Sequence, residues 1–233
     1  KMLEEVHNKL ADFVKPGIST LEIDQFGEKA IRDLGCVPNF LNYNGYPASI
    51  CVSVNDEVVH GIPSKDRILQ DGDIVSLDAG LIYEGYHSDA ARTHAVGNIS
   101  EEAKRLIEVT KQSFFEGIKL AVPGNHLFDI SEAIQKYVES NGYSVVRDLV
   151  GHGIGTHLHE DPQIPNFKQR RKGMKLRPGM TLAIEPMVNE GSYDVVWLDD
   201  DWTVVTEDGS LAAHYENTIV ITEDGCEILT LSE

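Results

Sequence analysis

Four acidic residues and one histidine stand out by where they sit in the chain. Asp78 and Glu185 each close an apolar run, Ile74-Val75-Ser76-Leu77 and Thr181-Leu182-Ala183-Ile184, where an unpaired charge carried into a core is costly. Asp89 lies on the return arm of an expected hairpin that turns at Tyr83-Glu84-Gly85, and two carboxylates brought together there need a cation if both are to stay ionised. Glu216, within His214-Tyr215-Glu216-Asn217-Thr218, occupies a return arm of the same kind after Glu185. On their own Asp89 and Glu216 read as ordinary turn or solvent-face residues. His152 lies in Gly151-His152-Gly153-Ile154-Gly155, whose glycines let the backbone turn tightly and approach a ligand. Four carboxylates and one imidazole carry too much negative charge for a single zinc ion. They suit two divalent ions such as Mn²⁺, Fe²⁺ or Co²⁺, and such a pair acidifies water and polarises a carbonyl, so amide hydrolysis is the natural reaction class.

The elements that must position these residues form an internal repeat. Pro16-Gly17 recurs as Pro123-Gly124, Gly35 as Gly142, and Leu69 to Asp78 as Leu176 to Glu185, all at an offset of 107. A capping box, Ser19-Thr20-Leu21-Glu22, starts a helix whose apolar residues Ile23, Phe26, Ala30 and Leu34 keep helical spacing; its counterpart carries Leu127, Ile130, Ile134 and Val138. Two further helices run through Leu3, Val6, Leu10 and Phe13 and through Ile107, Phe114, Ile118 and Ala121. A match at offset 92 sets Val54 to Ile62 on Val146 to Ile154 and makes His60 the counterpart of His152. Two such halves, about 1–100 and 101–233, would pair their strands into one antiparallel sheet with the helices on one face. The expectation is an α+β fold with pseudo-twofold symmetry in a single domain, 1–233.

Composition narrows the function. With 38 acidic against 20 basic residues the net charge is −18, which repels nucleic acid and anionic lipid. No apolar stretch approaches the length of a membrane span and the opening lacks a signal-peptide pattern, so a cytoplasmic protein is expected. Cys36, Cys51 and Cys226 read as buried free thiols, and His7, His87, His94 and His126 as surface or satisfied core residues. His157 and His159 share one strand face, and spacing does not choose between them. Gly151-x-Gly153-x-Gly155 precedes no helix that a phosphate could cap, which excludes a nucleotide loop.

At this point the chain resembles the type I methionine aminopeptidases of the pita-bread fold over essentially its whole length. The likeness rests on Tyr43-Asn44-Gly45-Tyr46-Pro47, Val59-His60-Gly61-Ile62-Pro63, Leu77-Asp78, His87-Ser88-Asp89, Gly151-His152-Gly153-Ile154-Gly155, His159-Glu160-Asp161-Pro162, Ile184-Glu185-Pro186-Met187, Trp202-Thr203-Val204 and Tyr215-Glu216-Asn217-Thr218. The resemblance implies that Asp78 chelates one metal, that His152 and Glu185 bind the other, and that Asp89 and Glu216 bridge them. It implies attack of a metal-bridging hydroxide on the first peptide bond, with Glu185 shuttling the proton, His159 stabilising the tetrahedral intermediate and His60 contacting the scissile nitrogen. The methionine pocket is expected from Phe40, Tyr43, Tyr46, Cys51, Leu158 and Trp202. Phe40 stands where the family often has Cys, Leu158 where it often has an aromatic, and His214 where it often has Gln. Only 26 positions separate His159 from Glu185, leaving no room for the helical insertion of type II enzymes. The first helix of the family is expected to begin ahead of residue 1.

The implied substrates are peptides and nascent proteins with N-terminal Met and a small second residue. The implied cofactors are two divalent ions, with Zn or Ni also able to serve. The expected protein is a monomer that reaches the ribosome, contacts no nucleic acid directly and has no membrane partner. An X-Pro aminopeptidase or prolidase would share the five ligands, and an inactive pita-bread binding protein would have lost one of them.

Overall fold

The computed structural model describes residues 1–231, so the last two residues of the expected second half lie outside the described residues. The chain opens with helices α1 (Met2–Phe13) and α2 (Thr20–Asp33), followed by strands β1 (Val37–Pro38), β2 (Ile50–Val54), β3 (Glu57–Val59), β4 (Ile74–Tyr83) and β5 (Tyr86–Ala95). Helices α3 (Glu101–Ile118) and α4 (Leu127–Ser140) follow, then β6 (Ser144–Val145), β7 (Gly151–Gly153), β8 (Glu160–Ile164), β9 (Thr181–Ile184) and β10 (Met187–Asn189). The chain continues through β11 (Val195–Trp197), β12 (Val204–Thr206), β13 (Ala212–His214), β14 (Asn217–Ile221) and β15 (Cys226–Ile228).

The α+β pita-bread architecture expected from the sequence is present. Ser19 and Glu22 form the reciprocal capping box at the start of α2, and Ile23, Leu127, Ile130, Ile134 and Val138 are buried as their spacing predicts. In α3 the buried face is rotated from the expected one. Leu106, Thr110, Ser113, Phe114 and Gly117 point inward while Ile107 and Ile118 are only partly covered. Small residues win this face because α4 approaches closely: a Cβ on Gly117 would lie 2.7 Å from Ile134 Cγ1. The helices lie over two apolar clusters. One joins Leu3, Leu10, Ile23 and Ile31 to β2, β4 and β5, and the other joins Leu106, Phe114, Ile130 and Ile134 to β9, β13 and β14.

The strands do not form one unbroken sheet. They make four hydrogen-bonded groups, with orders β1-β4-β2 plus β5, β13-β10-β6, β11-β12-β3 and β15-β14-β9-β7-β8. Register irregularities at Val204/Val205 and His152/Gly153 lie within two of these groups, in the β12-β3 and β7-β8 pairings. Long regular pairing survives in the β4-β5 hairpin, where Tyr83 faces Tyr86 across a two-residue turn. Glu84 and Gly85 both have positive φ there (49° and 84°), as a type I′ hairpin requires.

The registers locate the pseudo-twofold axis. Gly80 pairs with Asp89 and Met187 pairs with His214, so the offset of 107 in the outgoing strands becomes 125 in the return strands. Ala91 and Glu216 are then mates, and these two exchange backbone bonds, Ala91 N–H to Glu216 O (3.3 Å) and Glu216 N–H to Ala91 O (3.0 Å). The axis passes between them. On each side a threonine clasps the opposite half. The Asp89 N–H donates to Thr218 Oγ1 (2.9 Å), whose hydroxyl donates back to the Asp89 carbonyl (2.9 Å). The mates of these residues repeat the arrangement, with His214 N–H donating to Thr93 Oγ1 and the Thr93 hydroxyl returning to the His214 carbonyl, both at 2.9 Å. Thr218→Val keeps the shape and strips both partners from buried backbone at Asp89. It is expected to lower the unfolding free energy of the metal-free protein by about 2–4 kcal/mol, read from urea denaturation.

Candidate active site

Strand register carries the acidic residues to one place. Asp78 faces Ala91 and Asp89 faces Gly80, so the two carboxylates are diagonal neighbours on one face of the hairpin. Ile184 pairs with Asn217, and one further step of that register sets Glu216 beside Glu185. Asp78 and Glu185 are therefore true mates, as their sequence offset predicts. The other pairs are not. The mate of Asp89 is His214 and that of Glu216 is Ala91.

The expected equivalence of His60 and His152 is overturned in the same way. His152 pairs with Ala183 and Ser53 pairs with Ser76, which makes Ser53 the mate of His152. The Val-x-Asp-x-Val-x-His similarity at offset 92 matches composition and not hydrogen-bonded position. His60 instead follows β3, with φ 60°, in a left-handed conformation that non-glycine residues avoid.

One carboxylate or imidazole atom from each of Asp89, His152 and Glu216 lies within 4.8 Å of the others, and all three residues are buried. His152 Nε2 is 3.6 Å from Glu185 Oε1, and Glu185 Oε2 is 3.8 Å from His214 Nε2. His152 Nδ1 lies 2.8 Å from the Gly153 carbonyl, which can only accept, so the ring proton is on Nδ1 and the Nε2 lone pair faces the carboxylates. Gly151 makes this approach possible, since a Cβ there would run into the Ala183 carbonyl.

Burial pushes all four carboxyl groups up, Asp78 to about 7. Asp89 and Glu216 are raised further by the acids around them, and Glu185 by Asp78. Asp78 Oδ1 and Glu216 Oε1 are buried without a hydrogen-bond partner. Orphaned anionic oxygens, mutual repulsion and an aimed imidazole lone pair together fit divalent cations, which would satisfy all three at once.

The group forms the floor of a cavity of about 280 Å³ whose lining includes every residue expected of the site. Phe40, Tyr46, Cys51 and Leu158 are buried in its wall, with Tyr43 and Trp202 packed against them. Tyr46 meets Trp202 edge-on with ring centres 5.1 Å apart. His159 is resolved from His157 here. Its ring centre is 4.2 Å from that of His152 and its Nδ1 is 2.8 Å from the Tyr43 hydroxyl, whereas exposed His157 pairs with Glu160. Burial pulls the pKa of His60 down to about 4 and lowers that of His159, with further repulsion from neighbouring imidazoles.

Sequence reasoning missed Asn44, Val59, Asp148, Leu149, Val150 and Met187 in the lining. Two steps beyond the β7-β9 pairing, Val150 is the mate of Cys51, a relation that only the strand register reveals. Among the thiols, Cys36 and Cys51 are buried as expected, while Cys226 is only half-buried. No helix among the described residues is long and apolar enough to cross a membrane.

Comparison with known proteins agrees with this geometry. Residues 1–223 match metallopeptidase family M24. The methionine aminopeptidase of Clostridium acetobutylicum is 58% identical over 233 residues, covering 100% of this chain and 93% of the relative. The crystal structure of methionine aminopeptidase from Thermotoga maritima superposes with a TM-score of 0.97 at 47% identity, covering 100% of this chain and 93% of that one. An Xaa-Pro dipeptidase from Bacillus anthracis superposes with a TM-score of 0.79 at 25% identity, and this chain covers 58% of it.

The raised carboxyl groups give a signed prediction. Folded metal-free protein holds protons that the unfolded chain releases, so its stability falls as pH rises from the ordinary carboxylate range near 4 to about 7, the value for Asp78. Chelator-treated protein should melt at progressively lower temperature across that window. At pH 7.5 saturating Mn²⁺ or Co²⁺ should raise the melting temperature by roughly 5–10 °C, and by less at pH 5.

Proposed function

The chain belongs to metallopeptidase family M24, and from that premise we propose that it removes N-terminal methionine from peptides and proteins whose second residue is small. Divalent ions would be held by Asp78, Asp89, His152, Glu185 and Glu216. The observation that carries this reading is the buried carboxylate–imidazole group at the floor of an aromatic and thiol-lined cavity. Five residues, four of them acidic, would suit two ions of the Mn²⁺, Fe²⁺ or Co²⁺ kind, with Asp89, His152 and Glu216 the most closely gathered.

When bound, the ions supply Lewis acidity, lowering the pKa of a coordinated water toward neutrality and polarising the scissile carbonyl. Glu185 Oε1, beside His152, takes up and returns the proton. The Tyr43 hydroxyl, 2.8 Å from His159 Nδ1, can serve as the donor there, which would leave the proton of the neutral ring on Nε2 to donate to the substrate oxygen as charge builds on it. His60, edge-on to Trp202, serves the scissile nitrogen. Phe40, Tyr43, Tyr46, Cys51, Leu158 and Trp202 exclude water and offer aromatic faces and a soft thiol to a thioether.

The whole chain would act as one catalytic domain, because the ligands come from both halves across the Ala91–Glu216 seam. Every site residue belongs to the same chain, which supports a monomer working in the cytoplasm on newly made N-termini. A contact with the ribosome would have to be local in a protein of net charge −18. The exposed run Lys168, Arg170, Arg171, Lys172, Lys175 and Arg177, with no acidic residue from Pro162 to Ile184, is the surface that supports it.

With Mn²⁺ or Co²⁺ the protein should release Met from Met-Ala-Ser and leave Ala-Pro-Ala intact. The opposite preference would assign it to the X-Pro peptidases, and inactivity on both to a binding role. Asp89→Ala should lower kcat/KM on the order of a thousandfold, about 4 kcal/mol of transition-state stabilisation, with an unchanged far-ultraviolet circular dichroism spectrum.

A further inference from the structure

His214 is buried to 1% exposure at the end of β13, and neither ring nitrogen has a hydrogen-bond partner. It is the twofold mate of Asp89, yet it is not among the atoms grouped for a cation. It stands behind Glu185. The two oxygens of that carboxylate lie between two imidazoles, Oε1 at 3.6 Å from His152 Nε2 and Oε2 at 3.8 Å from His214 Nε2.

The geometry points to His214 as a positioning residue for Glu185, its Nε2 edge set 3.8 Å behind Oε2, where an N–H dipole favours that oxygen at the rear and leaves Oε1 presented to His152 and the ions. The inference rests on Glu185 acting as proposed above. The terminal torsion of a glutamate is broad and two-fold, so its own rotamer preference does not fix which oxygen faces forward. A polar N–H edge facing the rear oxygen does, and holding a reacting group in one orientation is worth rate without adding a contact to substrate.

A purely structural residue would be a poor choice for this position. Two buried, unpaired ring nitrogens are a cost that a leucine of similar bulk would remove. If the ring only filled space, the chain would be better off without its polar atoms. The imidazole earns its place through Glu185.

The test compares wild type with His214→Leu and His214→Gln, all loaded with Co²⁺ and assayed on Met-Ala-Ser. Leucine should leave the melting temperature of the metal-free protein unchanged or higher and KM within about threefold. It should lower kcat roughly 10–100-fold, the usual effect of losing a group that orients a metal ligand. It should also alter the visible absorption of bound Co²⁺, which reports how the ligands sit independently of turnover. Glutamine, which carries an N–H donor of similar reach, should restore most of kcat and the wild-type spectrum. A leucine variant with wild-type kcat and spectrum overturns the inference. So does a loss of kcat that follows the melting temperature and that glutamine does not repair. Wild-type protein that binds Co²⁺ but whose spectrum is indifferent to Glu185→Ala would mark failure of the underlying reading instead, and this inference would fall with it.

Discussion

Four carboxylates withdrawn from water into one small volume repel one another, and the rest of the fold is arranged around that fact. Burial alone raises each of their pKa values, and proximity raises those of Asp89 and Glu216 further. A core of apolar side chains cannot offset this. Arg92 contributes by stacking on Tyr215 and donating to the Glu216 carbonyl and Asn217, but it binds the backbone and leaves the carboxylates facing each other. The remaining compensation comes from bound protons in the metal-free protein and from divalent cations when they bind, so the electrostatic tension that burdens the apoprotein makes it a receptor for metal.

The two halves meet at the point where this tension is greatest. Ala91 and Glu216 straddle the axis as formal equivalents, one a methyl group and the other an acid. Asp89 and His214 are likewise related by the axis, one in the cation group and the other behind it. Backbone symmetry is kept down to the paired threonine clasps while side-chain symmetry is abandoned. Matching backbones give a rigid frame, and differing side chains give the directional site that attack on one face of a carbonyl requires.

Much of this was legible in the sequence because burial leaves a strong mark there. Asp78 and Glu185 each follow an apolar run at a common offset, although β4 continues past Asp78 to Tyr83, and the helices on either side declare themselves through capping and spacing. The offset pairing of His60 with His152 misled because hydrophobic alternation recurs every two residues and many alignments of short strands look alike; only hydrogen-bonded register shows that Ser53 is the mate of His152. The choice of His159 over His157 depends on a contact with Tyr43, 116 residues away, which no local pattern encodes. The division of the strands into four groups lies in hydrogen-bonded pairing that composition does not report. Preference for methionine was read from family likeness, since aromatic and thiol side chains pack equally well in an ordinary core.

Glu216 has a consequence for how the protein comes into being. A ribosome makes the chain from its N-terminal end, so Asp78 and Asp89 exist long before the partner acid that completes their group. Until the segment carrying Glu216 is made and laid against β5, those early acids have neither their last partner nor the threonine that clasps Asp89. Completion of the acidic group is thereby a closing event of biogenesis, ordered in time by the position of one residue in the chain. A product truncated before this segment would keep Asp78, Asp89, His152 and Glu185 and yet lack both the last acid of the group and the Thr218 clasp on Asp89.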